Sequence, residues 1–87
     1  MRDADGTLVL TRGEPSGGTA FTIATARRLR RPLLVLDLDR DPDPALVRRW
    51  VAEKRIAVLN VAGPRESQRP GVHAEARRFL DLALALP

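Results

Sequence analysis

Two stretches of this sequence carry residue types that chemistry can use. The first, Arg12-Gly13-Glu14-Pro15-Ser16-Gly17-Gly18-Thr19, follows a short apolar run and leads into a helical pattern. Its adjacent glycines can take positive φ and let the backbone come close to a ligand. At the start of a helix the N–H groups of Gly17, Gly18 and Thr19 have no intrahelical acceptor, which favours an anion there. The second stretch, Asn60-Val61-Ala62-Gly63-Pro64-Arg65-Glu66-Ser67, follows another apolar run. Gly63-Pro64 makes a stiff turn, and Arg65 offers a planar, permanently charged fork suited to phosphate or other oxyanions. Ser67 supplies a hydroxyl, and Asn60 an amide that can orient a loop or contact a ligand. The pair predicts a site for a small anionic ligand. The plainer reading is a strand-to-helix turn with Ser16 as N-cap, beside an exposed Arg65–Glu66 pair.

Catalytic sets are harder to assemble. Gly13 through Thr19 approaches a phosphate-binding loop, but it is one residue short and the lysine that reaches the β- and γ-phosphates is absent, which argues against nucleotide triphosphatase chemistry. A dinucleotide fingerprint is absent as well, although Asp37 lies at about the distance of a ribose-binding acid. Asp37, Asp39, Asp41 and Asp43 read as residues that cap, turn and solvate a connection, and Pro42 and Pro44 interrupt any familiar metal loop. His73 is the one histidine and reads as a surface residue at a helix start. With no cysteine beside it, it completes neither a metal site nor a nucleophilic triad. The remaining enzymatic reading is a nucleotide-processing site with Glu66 or Glu14 as acid or base and Arg65 on phosphate.

The elements that must position these loops are legible from the apolar pattern. Thr7-Leu8-Val9-Leu10-Thr11, Leu33-Leu34-Val35-Leu36-Asp37 and Ile56-Ala57-Val58-Leu59-Asn60-Val61 are continuous runs, as in strands buried on both faces of a parallel sheet. Asp5-Gly6 supplies a turn before the first. A helix is predicted from about Gly18 to Arg30, with Phe21, Ile23, Ala24 and Leu29 for its buried side. A second follows Asp43 as cap and Pro44 at the first helical position, with Leu46, Val47, Trp50 and Val51 in one stripe. A third begins near Gly71, with Val72, Ala76, Phe79, Leu80 and Ala83 on one side. Strands alternating with helices predict an α/β, three-layer domain over residues 1–87, a three-stranded parallel sheet with helices on both faces. If both loops serve one site, their strands are neighbours and the order is 2-1-3.

Composition bounds the rest. The 87 residues carry a formal net charge of +4, and Lys54 is the only lysine among the basic residues. Most arginines fall in helical segments and no nucleic-acid motif accompanies them, so a solvated surface is expected rather than nucleic-acid contact. No apolar stretch approaches the roughly 20 residues that span a bilayer, and Met1-Arg2-Asp3-Ala4-Asp5 is charged where a signal peptide would be apolar; a cytoplasmic protein is expected. A three-stranded sheet leaves two edges open, so a homodimer or higher homo-oligomer is expected.

At its two loops the chain resembles a known family. Arg2-Asp3-Ala4-Asp5-Gly6-Thr7-Leu8-Val9-Leu10, Gly13-Glu14-Pro15-Ser16-Gly17-Gly18-Thr19 and the Asn60–Ser67 stretch look like the molybdenum carrier family, the circularly permuted YpsA-like branch of the SLOG Rossmann-like superfamily. The resemblance implies a Rossmann-like protein that binds a nucleotide or the molybdenum cofactor. It implies ligand contacts at Ser16, Gly17, Gly18, Thr19, Gly63, Arg65, Glu66 and Ser67, with Arg2 and Asp3 lining the site. It covers essentially the whole chain but corresponds to the C-terminal portion of the family, whose N-terminal half carries a further glycine-rich motif. Phosphoribohydrolases of the same superfamily, the Lonely Guy type, have a catalytic glutamate where this sequence has Ala24, which argues against that activity.

Overall fold

The computed structural model describes residues 5–66 and 70–84. Along them run β1 (Gly6–Thr11), α1 (Gly17–Arg28), β2 (Leu33–Asp37), a 3-10 turn (Leu38–Arg40), α2 (Ala45–Glu53), β3 (Leu59–Ala62) and α3 (Val72–Leu84). The strands form one parallel sheet in the order β2-β1-β3, as the two-loop argument predicts.

β1 is buried along its whole length because it has a strand on each side and a layer on each face. Leu8 and Leu10 point to one face, in register with Leu34 and Leu36 of β2. There they meet Val47 of α2 and Phe79 and Ala83 of α3, with Trp50, Val51, Ala76 and Leu80 packed around them. Fully burying each large apolar side chain here contributes about 1.5–3 kcal/mol. Val9 and Val35 point to the other face, which α1 covers.

α1 uses a different stripe from the one expected. Its buried residues are Thr19, Ile23 and Ala26, spaced four and three apart, while Phe21 is 71% exposed and Leu29 51% exposed. At about 100° per residue, Phe21 lies some 200° around from Thr19, so one stripe cannot bury both. The helix also stops short of Arg30. Arg30 takes φ 55°, its N–H donates to the Arg27 carbonyl, and the Arg31 N–H donates to the Ala26 carbonyl. This is a Schellman ending built on an arginine where glycine is usual.

α2 ends the same way, and that ending explains why β3 is shorter than its apolar run. Arg55 takes φ 52° and donates to Ala52, and Ile56 donates to the Val51 carbonyl, so Ile56 belongs to the helix terminus. The Ala57 and Val58 N–H groups go to the Asp5 carboxylate at 3.0 Å each. Regular pairing therefore begins only at Leu59. Gly6 is part of β1 rather than a turn: a Cβ there would stand 2.6 Å from Ile56 Cδ1, so the space belongs to that side chain. At the start of α2, the Asp43 carboxylate accepts from the Ala45 N–H at 2.9 Å, so Asp43 caps as expected.

Candidate functional site

Three parallel strands send their carboxyl ends to one margin of the sheet, so the loops after β1, β2 and β3 share that side. The chain leaves β1 for β2 on one side and β3 pairs on the other, which makes the β1–β3 boundary the point where a ligand crevice forms in such sheets. Arg12 ties the three loops together. Its Nε lies 3.2 Å from Asp39 Oδ1, after β2, and 3.2 Å from the solvent-shielded Oε2 of Glu75 in α3. Its Nη1 is 3.9 Å from the position a Cβ on Gly71 would take. Arg12 thus reaches from the first loop to the start of α3.

The first loop is anchored from two strands. Buried Thr11 donates its hydroxyl to the Gly13 carbonyl at 2.8 Å, and the Gly13 N–H donates to Asp37 Oδ1 at 3.0 Å. Asp37 also accepts from the Asp39 N–H at 2.9 Å, capping the 3-10 turn. The Gly13 and Asp39 amides, helped by Arg40, hold the Asp37 carboxyl below its ordinary pKa. Gly13 and Gly17 have φ of 79° and 56°, which glycine takes without cost. Ser16 sits at the N-cap position of α1 with an extended backbone, but its side chain makes no capping bond. Ser16, Gly17 and Gly18 lie exposed, whereas the Thr19 side chain turns into the protein, 7% exposed.

In the last loop, Gly63 follows β3 so closely along β1 that a Cβ would stand 2.6 Å from the Leu10 carbonyl oxygen. Gly63 and Pro64 join Leu10, Val61, Val72 and His73 around a cleft of about 170 Å³. Arg65 is exposed. Glu66 has a structural task that its sequence position does not reveal. One of its oxygens accepts from the Gly71 N–H and the other from the His73 N–H at 3.1 Å. These amides otherwise lack acceptors at the start of α3, so Glu66 caps that helix across the loop. Both bonds lower its carboxyl pKa, which suits a fixed anion and not a proton donor.

The residues expected at the site thus divide. Ser16, Gly63, Pro64 and Arg65 lie on the loops at the carboxyl margin, and Gly17 and Gly18 in the first turn of α1 beside them. Asn60 pairs with Thr7, near the amino end of β1, about 10 Å along the strand from Gly63. Ser67, with Arg2 and Asp3, lies outside the described residues. Two residues that organise the loops, Arg12 and Glu75, went unassigned in that role, and Asp37, which caps the turn after β2 as expected, also holds the first loop through the Gly13 N–H. Asp37 was within reach of sequence reasoning, because order 2-1-3 puts it in register with Thr11, directly before the first loop. His73 is an exposed residue at a helix start, as expected. Among the described residues no group of His, Asp and Glu could hold a metal ion, and no helix is long and apolar enough to cross a membrane.

Comparison with known proteins gives the family and the fold. A sequence profile of the Circularly permutated YpsA SLOG family matches residues 1–84. Among solved structures, the chain is similar to the "Putative molybdenum carrier protein" of Syntrophus aciditrophicus SB, with 34% sequence identity and a TM-score of 0.89. The match covers 97% of this chain and 55% of that one, so this chain spans about half the length of its solved relative. No curated protein matches. The chain belongs to the circularly permutated YpsA SLOG family.

Proposed function

We propose that this family member is a non-catalytic binding protein for a phosphate-bearing ligand, either a nucleotide or a molybdenum cofactor, as in a molybdenum carrier. The ligand's anionic arm would lie on the Ser16 hydroxyl and the N–H groups of Gly17, Gly18 and Thr19. Arg65 and the Gly63-Pro64 turn would close it from the last loop. One observation carries this reading. Gly13 and Gly17 are explained by positive φ, and Gly63 by its contact with β1, but Gly18 has neither reason. A glycine in the first turn of a helix is unfavourable unless something needs the absent side chain. A Cβ on Gly18 would point into open space, as close approach by a ligand requires.

The residues suit the anionic arm of a cofactor better than a bare metal. The chain has no cysteine and one histidine, so molybdenum would be carried through its organic ligand and not by side-chain coordination. The reading places the protein in the cytoplasm, where such ligands are held. Calorimetric titration with a nucleotide panel, and with molybdate as the metal-only probe, tests it. Binding of the phosphate-bearing compounds that weakens in Arg65→Ala supports the proposal. A folded protein with no response to any of them at millimolar concentration defeats it.

A further inference from the structure

We propose that a second copy of this chain pairs with the outer edge of β2, the two strands running antiparallel about a two-fold axis at Val35, so that two sheets become one. The edge is open: β2 ends the strand order, and four of its five residues are only partly buried. The direction of its peptide groups follows from one bond. The Pro32 carbonyl accepts from the Thr7 N–H at 3.0 Å, and successive peptide groups alternate sides along a strand. Leu34 and Leu36 therefore turn their N–H and C=O toward β1, while Leu33, Val35 and Asp37 turn theirs outward. Centred on Val35, an antiparallel copy satisfies them. The two Val35 residues exchange both of their bonds, and each Leu33 carbonyl meets the Asp37 N–H of the other copy.

Charge selects this edge and this direction. Arg30 and Arg31 precede β2, while Asp37, Asp39 and Asp41 follow it with Arg40 among them. Antiparallel pairing brings the basic start of one strand near the acidic end of the other, with Arg31 toward the turn that carries Asp39 and its Arg12 partner. β3 lacks this asymmetry: Glu53, Lys54 and Arg55 precede it, and Arg65 and Glu66 follow it. Room for the second strand is also present. Two open clefts of about 420 and 600 Å³ border β2 and share Glu14, Pro15 and Val35 as lining. The first is floored by Ala20, Ile23 and Ala24 of α1, an apolar seat for side chains of the second copy. The pairing is isologous, as two-fold dimers require, and it removes an unpaired strand edge.

Sedimentation equilibrium of the 87-residue chain tests the proposal, with a dimer expected at twice the 9.6 kDa chain mass. Val35→Lys would set two ammonium groups on strands whose Cα atoms are about 5.5 Å apart, and should weaken the dimer at least tenfold. Arg31→Glu and Asp39→Lys should each weaken it, and combining them should restore it, a rescue that roles within one copy would not produce. A chain that stays monomeric at about 100 μM, where an interface of micromolar affinity is saturated, overturns the proposal. So does a dimer that folded Val35→Lys leaves intact. Should circular dichroism show Val35→Lys unfolded, the charge reversals decide, and single variants without effect overturn it.

Discussion

Replacing Gly18 with alanine adds one methyl group in the first turn of α1, and the surroundings determine what that group does. No heavy atom lies within 4 Å of the position it would take, and the Gly18 φ lies outside the left-handed region. Alanine is favoured over glycine by about 0.8–1 kcal/mol inside a helix and by less in a first turn. A gain of about 0.5 kcal/mol is expected, or about 2–4 °C in Tm for a domain of this size. Ligand affinity should move the other way. The methyl would hold an anion off the amides of α1, and losing one hydrogen bond to a charged group costs about 1.5–3 kcal/mol, roughly tenfold to a hundredfold in Kd. Thermal melts of the free protein give the first quantity and calorimetric titration with nucleotides the second. Gly17→Ala is the control. Its φ of 56° makes alanine cost about 1–2 kcal/mol, so Tm should fall. A Gly18→Ala protein that melts earlier than the parent would refute the open-space argument. One that melts later and binds as tightly as before would remove the α1 amides from the site.

Gly63→Ala should be the most damaging glycine change. Its Cβ would meet a main-chain oxygen at 2.6 Å, so β1 and β3 must part, at a cost of at least about 2 kcal/mol read as a fall in Tm. Arg55→Gly should raise Tm, since glycine relieves about 1 kcal/mol of left-handed strain at the end of α2; an unchanged or lower Tm would count against the Schellman assignment. Acid should loosen the loops. Asp37 and Glu66 have carboxyl pKa values lowered in the folded state, so their stabilisation is present above the ordinary carboxylate range. It is lost as pH falls below about 4 and through the lowered values. Hydrogen exchange at the Gly13, Gly71 and His73 amides, corrected for intrinsic rate, should accelerate there. Glu66→Gln should abolish that pH response at Gly71 and His73 and leave it at Gly13.

What was legible in the sequence was whatever depends on neighbours along the chain. β2 matches its apolar run residue for residue, and the stripes of α2 and α3 face the core, except that Leu46 of the expected α2 stripe is 39% exposed. The strand order followed from asking two loops to share a site. The misreadings at α1 and β3 have a common cause. Phe21 and Leu29 are apolar but off the buried stripe of α1, and Ile56 is apolar because it fills the space over Gly6 from a helix terminus. Hydrophobicity marks a residue that covers something without saying whether it does so from a strand or a turn. Boundaries set by hydrogen bonds to a distant carboxylate, as Asp5 sets the start of β3, leave no periodic trace.

The candidate site shows the same division, and the division bears on its chemistry. Residues that can touch a ligand were found because glycine and arginine announce themselves by type. Residues that hold them were not, because Arg12, Asp37 and Glu66 choose partners up to 63 positions away. Glu66 is the instructive case. By type it suits proton transfer, but its oxygens accept two main-chain N–H bonds, and a carboxylate held ionised in that way has little proton to give. Arg12 works in the same sense, its guanidinium set between Asp39 and Glu75 at the junction of three loops. With Asp37 and Glu66 engaged in holding backbone and Arg12 set between two carboxylates, the groups proposed to meet a ligand are main-chain amides, the Ser16 hydroxyl and the Arg65 guanidinium. Such groups can bind and orient an anion, which is the support the geometry lends to the proposed carriage.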